Sequence, residues 1–110
     1  MTPPLSTQVF QILLSLVDQD LHGYALIRDI ETRTDGELRL TASTLYDAIK
    51  RLLDTGWIEE LAVPADEDAR RRIYRLTRAG RSAARAEAER LARLTAQAQS
   101  KNLLSQPRRA

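Results

Sequence analysis

Residues 41–60 read TASTLYDAIKRLLDTGWIEE. Thr41 supplies a hydroxyl that can accept an N–H from a first helical turn, the role of an N-cap. Leu45, Ile49, Leu52 and Leu53 then recur at i, i+4, i+7 and i+8, which lines them along one side of a helix. At about 100° per residue, Ser43, Tyr46, Asp47 and Lys50 gather on the other side and Arg51 falls on the flank. Asp54-Thr55-Gly56 ends the helix with glycine at the expected stop. The spacing therefore predicts a helix that packs through one face and presents hydroxyls, a carboxylate and a cation on the other.

Two shorter helices are predicted upstream. Val9, Ile12, Leu13, Leu16 and Val17 form one apolar face over roughly residues 5–18. Leu26, Ile27 and Ile30 mark a second helix from Gly23 to about Arg33, separated from the first by the polar break Asp18–Leu21 and closed by Thr34-Asp35-Gly36. Downstream, Trp57–Ala62 and Arg72–Thr77 read as the strands of a β-hairpin with a long charged tip. From Arg78 onward Ala, Arg, Glu and Leu favour a helix to about Ser100. Its seam of Ala84, Ala88, Leu91, Ala92 and Ala98 is too narrow for a broad core face, which points to a second copy of the chain as its partner. The fold expected is mainly α with a small β-hairpin: a winged helix-turn-helix over residues 5–77, then a dimerisation helix over residues 78–104. Residues 1–4 and 105–110 are expected as flexible tails. Leu13 of the first helix joins the expected dimer contacts.

Composition narrows the chemistry. The chain has 110 residues, no cysteine and one histidine, His22. That removes disulfide frameworks, Cys/His metal sites and Cys/His catalytic pairs. No nucleophile with a histidine base, paired-carboxylate loop or phosphate-cradling glycine motif is present, so neither an enzyme, a cofactor nor a metal is expected. Gln8 and Gln11 interrupt the first apolar stretch, so a signal peptide or membrane span is not expected and a cytoplasmic location is. The net charge of +2 hides a division: residues 1–69 hold 5 basic and 13 acidic side chains, residues 70–110 hold 12 and 2. Seven arginines and no acid lie between Arg70 and Ala86. Such a field suits phosphates.

Five segments in order carry a resemblance: His22-Gly23-Tyr24, Ser43-Thr44-Leu45-Tyr46, Lys50-Arg51-Leu52, Gly56-Trp57-Ile58-Glu59, and Arg71-Arg72-Ile73-Tyr74-Arg75-Leu76-Thr77-Arg78-Ala79-Gly80. Together they resemble the PadR family of bacterial transcriptional regulators, in its compact form. The resemblance implies a homodimeric repressor that binds a palindromic double-stranded DNA operator, with room for a small-molecule effector of unspecified identity. The residues expected at DNA are Thr41, Ser43, Thr44, Tyr46, Asp47 and Lys50 on the third helix, and Arg70, Arg71, Arg72 and Arg75 at the hairpin. His22 is expected to cap the second helix, Gly23 to permit close approach and Tyr24 to pack. Family members commonly carry Pro-Gly before Thr-Leu-Tyr and Pro after it, whereas this chain has Ala42-Ser43 and Asp47. Some relatives sense aromatic drugs through aromatic side chains in a dimer channel, but no Phe, Trp or Tyr lies between residues 75 and 110. The competing reading is a winged helix that binds proteins, which the acidic first 69 residues would suit.

Overall fold

A computed structural model of the chain describes residues 4–61 and 72–104. Helix α1 spans Thr7–Ser15, strand β1 Leu21–His22, α2 Gly23–Arg33, α3 Ala42–Thr55, β2 Ile58–Leu61, β3 Ile73–Leu76 and α4 Arg78–Ser100. The strands form one antiparallel sheet in the order β1-β3-β2. Three helices followed by the β2–β3 hairpin make the winged helix-turn-helix that the sequence predicts, with α4 appended. β1, which pairs Leu21 with Tyr74 and His22 with Ile73, occupies part of the segment read as a polar break. Among the described residues, no helix is long and apolar enough to cross a membrane.

The helix ends follow from the side chains at them. Ser6, His22, Thr41 and Thr77 are the four N-caps, and each side chain accepts a hydrogen bond from the N–H three residues on. α1 stops at Ser15 rather than at residue 18, because Leu16 and Val17 donate to carbonyls three residues back and tighten the chain into a single 3₁₀ turn. Arg81 of α4 then donates to the Val17 carbonyl at 2.8 Å. α2 closes through Asp35 and Gly36, both with positive φ, as Gly36 N–H reaches the Glu31 carbonyl at 2.8 Å.

The core is built from the predicted apolar faces: Ile12 and Leu13 of α1, Leu26 and Ile30 of α2, and Leu45 and Ile49 of α3, with Tyr74 and Leu76 beneath them from the sheet. Leu13, expected at a dimer contact, is fully buried within its own chain and belongs to this core. Ala84 belongs to the same core, through the packing of α4 on α1. Gly80 lies in the first turn of α4, so close to the Trp57 carbonyl that an added Cβ would stand 2.0 Å from that oxygen.

A polar network ties α1 to α2. Arg33 pairs with Asp29 at 2.9 Å, and donates to the Gln11 side chain and to the buried Ser15 hydroxyl, each at 2.6 Å. Burial raises the Asp29 pKa, but hydrogen bonds from Arg33 and Ser15, with the Arg33 charge, outweigh it and leave the carboxyl below its ordinary range. On α4, the two-pronged hydrogen bond from Arg90 outweighs burial at Glu87 and, with the Leu5 N–H, also lowers its pKa. Both acids bind protons more weakly folded than unfolded. Their contribution is complete above the ordinary carboxylate range and is lost as pH falls through their lowered values. Urea midpoints should therefore drop between pH 7 and pH 3, and Arg33→Met should shrink that drop. An unaltered drop in the variant would remove Asp29 from the acid response.

Candidate nucleic-acid interface

Helix α3 is held on one side and open on the other. Leu45, Ala48, Ile49 and Leu52 are buried, whereas Ser43, Tyr46, Asp47 and Lys50 are exposed. The helix is fixed at both ends. Thr41 accepts from the Thr44 N–H at 3.1 Å and donates to the Thr44 hydroxyl at 3.0 Å, so these two threonines brace the first turn. At the other end Gly56 takes φ 77°, the left-handed conformation that glycine adopts without a Cβ penalty. Such bracing holds exposed donors in one geometry, as recognition of a rigid partner requires.

Tyr46, expected at DNA, also packs against α2. Its ring lies across the entrance of α2, where a Cβ on Gly23 would come within 2.5 Å of the Tyr46 hydroxyl, yet 37% of the residue remains exposed. His22 accepts from the Ala25 N–H at 3.2 Å and caps α2 as expected. Tyr24 does not pack as expected. It is 63% exposed, and its neighbour is the Arg28 guanidinium, 5.9 Å from the ring centroid.

The hairpin arginines divide by strand face. Tyr74 and Leu76 of β3 point into the core, and Arg75 between them points outward. There Arg75 lies 3.3 Å from Asp20 and 4.0 Å from Glu59, its cross-strand neighbour. The sheet thus turns Arg75 away from the face that meets α3, and it does not join Tyr46 and Lys50. Arg72 shares the Tyr74 side of the strand and pairs with Glu60 at 3.5 Å. Burial raises the Tyr74 pKa, and the Glu60 charge and Tyr46 add to the rise. Tyr74 therefore marks the junction of hairpin and α3. Arg70 and Arg71, with the acidic tip Asp66-Glu67-Asp68, lie outside the described residues.

A model of the transcriptional regulator PadR-like family matches residues 12–86 of the chain. Over 84 residues the chain is 39% identical to an uncharacterized 37.1 kDa protein in transposon TN4556 of Streptomyces fradiae, a match covering 76% of this chain and 23% of that protein. The chain spans less than two thirds of the length of the curated relatives it matches, 23% of one and 65% of another. Among solved structures it is similar to a transcriptional regulator from Clostridium thermocellum, with TM-score 0.71 and 30% identity over 84% of this chain and 89% of that one. It also shares the fold of Bacillus subtilis PadR, solved in complex with operator DNA, with TM-score 0.63 and 20% identity over 96% of this chain and 52% of that one.

Proposed function

The chain belongs to the PadR-like family of transcriptional regulators, and on that premise we propose that it is a homodimeric repressor whose α3 enters the major groove of a palindromic operator. The family is one of regulators, not enzymes. The observation that carries the reading is the open face of α3: Ser43, Tyr46, Asp47 and Lys50 exposed on a helix whose opposite side is locked into the core. Ser43, Asp47 and Lys50 carry the donors and acceptors that base edges recognise, while the Tyr46 hydroxyl suits a phosphate. Arg72 joins them from the hairpin. Its pairing with Glu60 involves two exposed side chains, is worth about 0–1 kcal/mol, and yields readily to a phosphate.

The dimer is argued from α4. On a helical wheel Gly80, Ala84, Glu87, Leu91, Leu94 and Ala98 fall on one stripe. The first three are buried in their own chain, whereas Leu91 and Leu94 are 37% and 47% exposed. A stripe that continues past its own core asks for a second copy. Residues 5–77 then carry the reading domain, and the outer part of 78–104 carries the pairing.

Selection of bound sequences from random duplexes, followed by titration of Lys50→Ala, tests the reading. The selected site should be palindromic. Lys50→Ala should bind it roughly tenfold more weakly while keeping stability within about 0.5 kcal/mol of the parent. Unchanged affinity at matched salt would take α3 out of the interface.

A further inference from the structure

We propose that Tyr24 and Arg28 of α2 form a phosphate clamp that grips the operator backbone beside the groove α3 occupies; this rests on the DNA-binding reading above. Helix geometry places the pair. Asp29 and Arg33 mark the flank of α2 that meets Gln11 and Ser15 of α1, and Gly23 marks the side covered by Tyr46 of α3. Tyr24 and Arg28, four residues apart, lie on the remaining flank, beyond Gly23 and away from α1. They continue the exposed face of α3 across the Gly23–Tyr46 contact.

The chemistry of that flank fits an anionic backbone. A guanidinium carries a fixed charge and a planar fork of donors matched to phosphate oxygens. The Arg28 guanidinium lies over the Tyr24 ring, 5.9 Å from its centroid, a loose cation-π contact between two exposed side chains, and the tyrosine brings a hydroxyl donor of its own to the same flank. Glu31, the acid one turn along the same flank, is already occupied by Arg39 at 3.1 Å. Packed helices lie about 8–10 Å apart, while the major groove is about 12 Å wide. With α3 in the groove, α2 therefore rests over its rim, where the phosphates run. A clamp there fixes orientation and adds affinity without reading sequence.

Anisotropy titrations of the whole protein against its selected operator and a random duplex, at several salt concentrations, test this. Arg28→Gln should weaken both complexes by about tenfold. It should leave their affinity ratio intact and flatten the slope of log affinity against log salt by about 0.9 for each phosphate released. Tyr24→Phe should do the same by a few-fold, and Arg28→Lys should recover most of the slope. Unchanged affinity and slope in Arg28→Gln, while Lys50→Ala still loses operator binding, would overturn the clamp and leave the role of α3 standing. A collapse of the operator-to-random ratio would overturn the phosphate assignment. Failure of the parent protein to bind any duplex would overturn both proposals, whereas capture of a protein partner through Tyr24 and Arg28 without DNA would overturn the clamp alone.

Discussion

Gly80→Ala is expected to destabilise the chain by about 3 kcal/mol or more, although alanine is the better helix former by about 1 kcal/mol. The new methyl would stand 2.0 Å from the Trp57 carbonyl oxygen and 2.8 Å from Leu76 Cδ1. The leucine can turn aside. The carbonyl is less free, because it already accepts from the Thr77 N–H at 3.0 Å and follows directly on the left-handed Gly56. Thr77 tightens the same junction, donating to the Gly56 carbonyl at 2.6 Å and accepting from the Gly80 N–H at 3.0 Å. Relief of the clash would push α4 off the sheet and reopen the core around Ala84. Guanidinium denaturation at fixed protein concentration gives the sign directly, with Gly36→Ala as a reference, since no atom lies within 4 Å of a Cβ there and only the positive φ resists. A Gly80→Ala chain as stable as its parent would mean that the junction of α4 with the hairpin yields more easily than its hydrogen bonds imply.

The second large effect is expected on assembly. Leu91→Glu combined with Leu94→Glu should leave the protomer folded, because both leucines are substantially exposed within one chain. The pair should turn a dimer into a monomer at micromolar concentration by setting carboxylates on a seam that two copies share. Operator affinity should fall by roughly 100-fold or more, since one reading head loses the added grip of its twin. Sedimentation beside circular dichroism separates the two readouts. A double variant that still sediments as a dimer would place the interface elsewhere.

Much of this architecture is legible in the residues. Thr41, the 45/49/52 spacing and Gly56 define α3 almost to the residue, because caps and period are local signals. What escapes depends on distant partners. β1 has two residues, too few for any alternation to show, and it exists because β3, some fifty residues later, supplies its hydrogen bonds. Helical period tells that Leu13 and Ala84 face something apolar, but not that α1 and α4 of one chain face each other. Gly80 reads in the sequence as a turn or helix end, whereas its reason is the carbonyl of Trp57 across the junction. The arginine run reads as one positive field suited to phosphates, with nothing in it to say which way each guanidinium turns. Strand alternation instead turns Arg75 toward Asp20 and Glu59, and Arg72 toward the α3 side. Tyr24 departs from expectation because aromatic character predicts burial on average, and the flank it stands on is set by where α1 and α3 lie.

The continuity of α4 has a consequence for the operator itself. No glycine or proline interrupts the helix between Arg81 and Ser100, so the segment seated in the core and the segment that projects from it turn as one rigid rod. In a pair of such chains, the angle and distance between the two α3 helices are written into the phase of that rod. One residue inserted after Arg90 would swing the leucine stripe by about 100° and lift it by about 1.5 Å, whereas seven would nearly restore its bearing and lengthen the span by about 10 Å. If two copies pair through α4 as proposed, the number of base pairs between half-sites becomes a dimension of the protein, set by residue count along an alanine-rich helix.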